Sequence, residues 1–270
     1  MTVIDVNGLS THYEIDGPTG APVLTLAHGQ AFDWSVWRGQ VAAFRDRYRV
    51  LCPDLRGHGG TADGKQAELR ISHVAMDIVG LLDALGIDRT HFVGTSLGGF
   101  AGYELALEHP HRLLSVTFSA TQAHMPESTT QVIRKRIAGL KEPGASMAPL
   151  VDALLERYVS EGYKQRDPEG FAELGEIVAR CSAMGYALTS DATLAMNYDP
   201  RINEIRVPTM VIAGALDRST PPDRMALYRD RIPDAQMAVV PDAGHLPNVE
   251  NPEGYNQVLS EFLDGLAEDT

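Results

Sequence analysis

The sequence predicts an α/β fold, in which a mainly parallel β-sheet carries helices on both faces and a block of helices is inserted into the chain. Short apolar runs alternate with segments of helical period along most of the sequence, which is typical of parallel strands joined by helical crossovers. Between residues 122 and 205 the alternation stops and helix-like segments follow one another. We therefore expect a core domain of residues 1–121 and 206–270 and a helical cap, or lid, of residues 122–205.

Apolar and polar patterning places the individual elements. Alternation after the Asn7-Gly8 turn predicts an antiparallel hairpin at one edge of the sheet. Apolar runs predict strands at residues 23–27, 50–52, 113–118, 209–213 and 237–240. Apolar positions of helical period predict helices at residues 36–44 and 72–85, one from residue 222, and one over residues 252–266. We expect Ser72 to cap the second of these helices and Gly86 to end it.

Length and charge exclude several classes of partner. The chain has 270 residues, of which 44% are hydrophobic, and a formal net charge of −13. It can bury one sizeable core, and its negative charge repels nucleic acid and anionic membrane surfaces. No apolar run approaches the ~20 residues that cross a bilayer, and no basic segment leads into an apolar one near the first residue. We expect a cytoplasmic protein with a small-molecule substrate, and the sequence does not define its oligomeric state.

The two cysteines carry no sign of a metal or redox site. Cys52 and Cys181 lie far apart, and neither has metal-ligand spacing to a histidine or to the other cysteine. We interpret both as small core residues with free thiols, and we expect neither a metal nor a cofactor.

The inserted block contains four helix-like segments and is rich in methionine and tyrosine. We interpret these side chains mainly as the core of the cap, although contact with an apolar substrate is the alternative. The residues concerned are Met125, Met147, Met184, Met196, Tyr158, Tyr163, Tyr186 and Tyr198.

The strongest chemical motif is Gly94-Thr95-Ser96-Leu97-Gly98, which lies between a short apolar run and a helical segment that extends through Leu107. A strand, a serine at a sharp bend and a helix form the nucleophile-elbow context. Glycines flank the serine because a side chain on either would collide with a neighbouring element in so tight a turn. Ser96 is therefore the candidate nucleophile.

A serine hydroxyl becomes a nucleophile when a histidine, itself oriented by a carboxylate, removes its proton. Asp217 and His245 follow two successive late strands, so both should lie at the carboxyl edge of the sheet where Ser96 emerges. Asp54 lies before the nucleophile, and Asp242 is too near His245 in sequence to reach its ring. By elimination, Asp217 is the orienting acid.

The other histidines lack this combination of a glycine turn and a late strand. His28 and His58 belong to glycine turns and are expected to make structural hydrogen bonds, while His124 in the cap is undetermined. Surface positions are expected for His12, His73, His91, His109 and His111.

The developing oxyanion needs fixed donors. We expect them to be the main-chain N–H of Leu97, just after the nucleophile, and the N–H of Gln30, after His28-Gly29. The side-chain amide of Gln30 either contacts the substrate or is that of an ordinary loop glutamine.

Several stretches resemble known families. Those that resemble the α/β-hydrolase superfamily are Gly94-Thr95-Ser96-Leu97-Gly98-Gly99, Asp54-Leu55-Arg56-Gly57-His58-Gly59, Ala213-Gly214-Ala215-Leu216-Asp217 and Gly244-His245. Those similar to the 3-oxoadipate enol-lactonases of bacterial aromatic catabolism are Asp217-Arg218-Ser219-Thr220-Pro221-Pro222, His245-Leu246-Pro247-Asn248-Val249-Glu250-Asn251-Pro252-Glu253 and Leu154-Leu155-Glu156-Arg157-Tyr158. This resemblance implies the α/β-hydrolase fold, a triad of Ser96, Asp217 and His245, and hydrolysis of an enol-lactone or a similar carboxylic ester. At the oxyanion loop, His28-Gly29-Gln30-Ala31 is instead similar to general esterases.

The serine at the elbow argues against haloalkane dehalogenases and epoxide hydrolases, which use an aspartate there. Two alternatives stay open: a C–C bond hydrolase of ring-fission diketones, and a lyase or ligand receptor that keeps the fold without hydrolysis. A dicarboxylate lactone would need a cation in the cap. We expect at most one of the following to line the pocket: Arg134, Lys135, Arg136, Arg157 and Arg180.

Overall fold

A computed structural model describes residues 2–64 and 68–268 and contains one eight-stranded sheet with the strand order β1-β2-β4-β3-β5-β6-β7-β8. The first two strands form an antiparallel hairpin at one edge, β2 pairs antiparallel with β4, and all other pairs are parallel. The predicted mainly parallel sheet with an edge hairpin is confirmed. The strands are β1 Thr2–Val6, β2 Leu9–Asp16, β3 Val23–Ala27, β4 Arg49–Pro53, β5 Thr90–Thr95, β6 Leu113–Ser119, β7 Thr209–Gly214 and β8 Gln236–Val240.

Helices connect the strands and cover the sheet. They are α1 Arg38–Phe44, α2 Ile71–Ala84, α3 Leu97–Glu108, α4 Glu127–Ile137, α5 Val151–Tyr158, α6 Glu161–Arg166, α7 Pro168–Arg180, α8 Ala183–Ala195, α9 Pro222–Arg229, α10 Pro247–Glu250 and α11 Pro252–Glu268. Short 3-10 helices lie at Trp34–Trp37, Pro110–Arg112, Ala148–Leu150 and Asp199–Glu204. Among the residues described, no helix is long and apolar enough to cross a membrane.

The predicted N-cap of α2 is wrong by two residues. Arg70, not Ser72, is the N-cap residue, and Ser72 lies inside the first turn. The imidazole of His73 accepts the main-chain N–H of Arg70 at 3.1 Å, so it satisfies an N–H that the helix leaves free. Gly86, with a φ of 66°, follows the C-cap Leu85, as expected for a helix-ending glycine.

Alternation along the central strands divides the core into two layers. Leu24 and Leu26 of β3 contact the layer that contains α1 and α11, whereas Phe92 of β5 and Phe118 of β6 contact the layer that contains α2 and α3. Each of these side chains is fully buried, and such burial contributes about 1.5–3 kcal/mol per residue. Cys52 and Cys181 are buried free thiols, as predicted.

Five helices, α4 to α8, lie between β6 and β7, one more than the sequence indicates. We call this segment, residues 122–205, the helical insertion. Met147 and Tyr186 are fully buried in it, as core side chains are, while Met125 and Tyr158 line a cavity at Ser96. The core interpretation is thus confirmed for Met147 and Tyr186, whereas contact of Met125 and Tyr158 with a substrate stays a prediction. The boundaries of a separate cap domain stay a prediction.

Candidate active site

Ser96 lies at the sharp bend between β5 and α3, with φ 50° and ψ −108°. A non-glycine residue in such a conformation costs about 1–3 kcal/mol, and surrounding hydrogen bonds must maintain it. The N–H of Ser96 donates to the carbonyl of Ser119 at 3.0 Å, and the Thr121 hydroxyl donates to the Ser96 carbonyl at 3.0 Å. The bend is thus held from the neighbouring strand β6 and the residues that follow it.

The flanking glycines are required by close main-chain approaches. A Cβ on Gly94 would lie 2.3 Å from the carbonyl oxygen of Gly98, and a Cβ on Gly98 would lie 2.3 Å from that of Ala27. Real Cβ atoms do not approach other atoms so closely. The collision argued from the sequence is therefore confirmed at both positions.

Asp217 follows β7 and is almost fully buried, with 3% of its surface exposed. Its carboxylate accepts the N–H of Ser219 at 2.7 Å, the N–H of Thr220 at 3.1 Å and the hydroxyl of Thr220 at 2.6 Å. Its Oδ2 lies 2.8 Å from Nδ1 of His245. The residues chosen from the sequence as acid and base are hydrogen-bonded to each other.

The loop after β8 carries His245, which is 5% exposed. The N–H of His245 donates to the carbonyl of Tyr158 at 2.8 Å. The two rings stack at 4.9 Å between centroids, with 23° between their planes. Tyr158 ends α5, so the helical insertion contacts both the main chain and the ring of this histidine.

Asp217 is ionised at neutral pH. Burial raises the pKa of its carboxyl, but the charge and hydrogen bond of His245 and the hydrogen bonds from Thr220 outweigh burial and lower the pKa to about 2. An ionised carboxylate can only accept, so the His245 Nδ1 must carry the proton of the bond between them. The other ring nitrogen, Nε2, is then the one with a lone pair.

This lowered pKa predicts how stability depends on pH. A carboxyl that titrates near 2 when folded and near 3.8 when unfolded stabilises the folded protein above pH ~4, and this contribution of about 2 kcal/mol is lost as the pH falls toward 2. In Asp217→Asn, we expect the free energy of unfolding in urea to decrease less steeply between pH 5 and pH 2. The exposed control Asp46→Asn should keep the wild-type slope. If the free energy of unfolding fell equally steeply with pH in the wild type and in both variants, the lowered pKa of Asp217 would be contradicted.

Ser96 and His245 line one cavity of about 50 Å³ between the core and the helical insertion. Its lining residues are Gln30, Ser96, Phe100, Ala120, Gln122, Met125, Thr129, Ile133, Arg136, Arg157, Tyr158, Thr193, Ser219, Thr220 and His245. Within residues 2–64 and 68–268, the Ser96 hydroxyl makes no hydrogen bond to His245. Such contacts are often long in unliganded enzymes and tighten with substrate.

The two predicted oxyanion donors are free. Neither the N–H of Leu97 nor that of Gln30 has a hydrogen-bond partner in the part of the chain that the structure describes. Leu97 is the first residue of α3, where helix N–H groups lack partners within the helix, and Gln30 lines the cavity. Both amides therefore lack a partner among the described residues, and Gln30 is the one of the two residues that lines the cavity.

The side chain of Gln30 has a role that neither interpretation of the sequence included. Its Nε2 lies 3.1 Å from the carbonyl of Tyr186, 3.1 Å from the hydroxyl of Thr189 and 2.6 Å from the hydroxyl of Ser190. The amide thus links the loop after β3 to α8 of the helical insertion.

The surface position predicted for His12 is wrong. Only 2% of it is exposed, and its Nδ1 lies 2.6 Å from Asp54 Oδ2. The other Asp54 oxygen accepts the N–H of Trp34 at 2.7 Å. The pair of His12 and Asp54 therefore stabilises the loop that contains Trp34. His28 makes the structural hydrogen bonds expected of it: its Nδ1 lies 2.8 Å from the Gly29 carbonyl, and its Nε2 accepts the N–H of Leu55 at 2.8 Å.

The expectation of at most one cavity cation is also wrong, because both Arg136 and Arg157 line the cavity. Arg136 lies in the last turn of α4 and donates to the hydroxyl of Tyr186 at 3.3 Å. Arg157 lies in the last turn of α5, next to Tyr158. One arginine from the last turn of each helix therefore lines the cavity.

Sequence reasoning missed Thr220 as a site residue, and it did not predict that Tyr158 contacts His245. Thr220 donates to Asp217, and its Oγ1 lies 3.4 Å from Nδ1 of His245. Both residues fall in stretches that resemble the enol-lactonases, which was the available signal.

Comparison with known proteins identifies the class. A family model described as the α/β hydrolase family matches residues 26–258, and the chain belongs to this family. The eight-stranded, mainly parallel sheet agrees with this assignment, and the predicted α/β-hydrolase fold is confirmed.

Individual relatives narrow the class to hydrolases of the ester or lactone type. The 3-oxoadipate enol-lactonase 2 of Acinetobacter baylyi is 30% identical over 263 residues, which are 97% of this chain and 95% of that protein. The crystal structure of the enol-lactonase from Burkholderia xenovorans matches with a TM-score of 0.92 at 32% identity, covering 97% and 100% of the two chains. A malate-bound thermophilic esterase from Thermogutta terrifontis matches with a TM-score of 0.91 at 25% identity, covering 98% and 99%.

Proposed function

We propose that this hydrolase cleaves a carboxylic ester or enol-lactone through an acyl-enzyme, with Ser96 as nucleophile, His245 as base and Asp217 as orienting acid. The observation that carries the proposal is that Ser96 and His245 line one cavity while His245 donates through Nδ1 to the ionised, buried Asp217. A hydroxyl, an oriented imidazole and two free amides are the groups that acyl transfer needs.

The reaction proceeds in two half-reactions. Ser96 Oγ attacks the carbonyl carbon while His245 Nε2 takes the hydroxyl proton, and Asp217 stabilises the imidazolium. The N–H groups of Leu97 and Gln30 donate to the oxyanion. Collapse expels the alcohol or enol oxygen, which receives the proton from His245 and leaves the acyl group on Ser96. Water, deprotonated by His245, then attacks the acyl carbon, and the bond from this carbon to Ser96 Oγ breaks. His245 returns its proton to Ser96 Oγ, and the carboxylic acid is released.

A covalent label tests this assignment. A fluorophosphonate should modify the intact protein once per chain, and peptide mass spectrometry should locate the adduct on Ser96. The internal comparison is Ser219, a second serine that lines the same cavity and lacks a neighbouring base in the proposal. Absence of labelling, or labelling at Ser219 alone, would remove Ser96 as the nucleophile.

The charge of the cavity supports an anionic substrate. Two guanidinium groups, those of Arg136 and Arg157, line it together with Ser96. An enol-lactone of a dicarboxylic acid retains one free carboxylate, and guanidinium groups bind carboxylates with paired hydrogen bonds. We infer that the substrate carries a carboxylate that lies against these arginines while its lactone or ester carbonyl faces Ser96. The relatives named as enol-lactonases are consistent with this substrate class.

Substitution of the arginines should separate charged from neutral substrates. Arg136→Met or Arg157→Met should lower kcat/KM for a carboxylate-bearing lactone by about 10–100-fold, because a hydrogen bond to a charged group contributes about 1.5–3 kcal/mol. A neutral p-nitrophenyl ester should change less than about threefold, since it lacks the carboxylate.

The matched control is Arg134→Met, on the same helix but exposed to solvent. It should leave both substrates unaffected. If the cavity variants slow the neutral ester as much as the charged lactone, the arginines support the fold and do not select the substrate.

A further inference from the structure

The loop that carries His245 is joined to the helical insertion by a buried carboxylate that the proposed chemistry does not use. Glu250 lies at the end of α10, five residues after His245, and is 4% exposed. Its Oε2 accepts the N–H of Ser160 at 2.9 Å, and its Oε1 accepts the N–H of Leu246 at 3.3 Å. One carboxylate therefore bonds to the turn between α5 and α6 and to the residue after His245.

The buried position of Glu250 makes the charged form of its carboxyl unfavourable in free energy. Burial raises the pKa of its carboxyl, and hydrogen bonds from the Ser160 side chain and from main-chain N–H groups only partly offset that effect. Within the described residues no arginine, lysine or histidine forms an ion pair with it. A buried carboxylate of this kind is stable only while its main-chain donors stay in place, so its geometry depends on both segments.

A second link runs along the exposed side of the same loop. Arg166 of α6 donates to the carbonyl of Asp242 at 3.1 Å and to the carbonyl of Glu250 at 3.2 Å. His245 lies between Asp242 and Glu250 in the sequence, and its main-chain N–H donates to the carbonyl of Tyr158. The segment from Asp242 to Glu250 is thus bonded to the helical insertion at both ends and in the middle.

We propose that Glu250 is a positioning residue that fixes the His245 imidazole by linking Ser160 of the helical insertion to Leu246 of the histidine loop. The inference rests on the proposed role of His245 as the base. Asp217 holds Nδ1 of the ring by one hydrogen bond, and the Tyr158 ring stacks on the imidazole, so both contacts act on the ring itself. The link from Glu250 restrains the main chain on which the ring is mounted. Its loss should slow proton transfer without weakening substrate binding, because Glu250 does not line the cavity.

The test compares two Glu250 variants by kcat and KM. Glu250→Ala should lower kcat about 10–100-fold with KM within twofold of wild type, since misplacement of a catalytic group by about 1 Å costs on the order of 100-fold. Glu250→Gln keeps one carbonyl acceptor and should recover part of this loss. An unchanged kcat in both variants, or a loss that appears in KM instead, would overturn the proposal.

Arg166→Met provides an independent readout if Glu250→Ala fails to fold. Arg166 is exposed, so the variant should keep its urea midpoint while kcat falls measurably, by about threefold or more, through the same loss of positioning. The matched control is Arg206→Met, an exposed arginine that donates to the carbonyls of Asn203 and Ile205, outside the site, and it should keep wild-type kcat. A wild-type kcat in Arg166→Met and Glu250→Gln would refute the link. Labelling of Ser96 in the wild-type protein distinguishes that outcome from failure of the proposed function itself.

Discussion

Replacement of Ser96 by alanine should lower kcat for ester or lactone hydrolysis by about 10⁵-fold, because it removes the hydroxyl that we propose as the nucleophile. The fold should persist. The Ser96 hydroxyl makes no hydrogen bond within the described parts of the chain, and alanine adopts a positive φ elsewhere in this protein, at Ala31 (71°) and Ala120 (43°).

Initial rates with a p-nitrophenyl ester measure the loss of kcat, and urea unfolding measures whether the fold persists. Ser219→Ala is the matched control, since its hydroxyl is buried and lines the same cavity. We expect that control to retain kcat within about tenfold of wild type, in the range of a substitution that removes no reacting group. If Ser96→Ala retained more than about 1% of wild-type kcat while Ser219→Ala lost activity, the nucleophile would have been assigned to the wrong serine.

Asp217→Asn should lower kcat by about 10³–10⁴-fold, the second-largest effect expected. An amide that presents its N–H group to Nδ1 stabilises the tautomer of His245 that carries its proton on Nε2, and this nitrogen can then no longer accept a proton from Ser96 as proposed. Steady-state kinetics at neutral pH, where the wild-type carboxyl is fully ionised, measures the loss.

The protein contains a matched control for this carboxylate. Asp54 is equally buried and lies 2.6 Å from a histidine nitrogen, but its partner is His12, which does not line the Ser96 cavity. Asp54→Asn should lower the urea midpoint without a comparable loss of kcat. Similar kcat losses in both variants would mean that Asp217 acts through stability and not through the tautomer of His245.

The sequence predicts the sheet and its edge well, because strand and helix signals here are local. Continuous apolar runs such as residues 23–27 become fully buried strands, and the glycines at 94 and 98 reflect close approaches that any tight elbow requires. The start of α2 differs because Arg70, which is not one of the short polar residues preferred at an N-cap, occupies that position, and the ring of His73 accepts its N–H.

The predictions from the sequence fail mainly for residues whose contacts join segments that are distant in the sequence. Whether Arg136 and Arg157 face the cavity depends on how α4 and α5 are rotated and docked, which helical periodicity alone does not determine. The three contacts of the Gln30 amide with α8, and the pairing of His12 with Asp54, likewise require the folded chain. The same holds for the bond between Glu250 and Ser160, which are 90 residues apart.

Partitioning of the acyl group between water and methanol tests the acyl-enzyme most directly, because it does not depend on which step limits the rate. Two esters of the same acid with different leaving alcohols are hydrolysed in water containing a fixed concentration of methanol, and the ratio of methyl ester to free acid is measured for each. A common Ser96 acyl-enzyme predicts the same ratio from both esters. Ratios that differ with the leaving group would show that water attacks the substrate directly and would contradict the covalent mechanism.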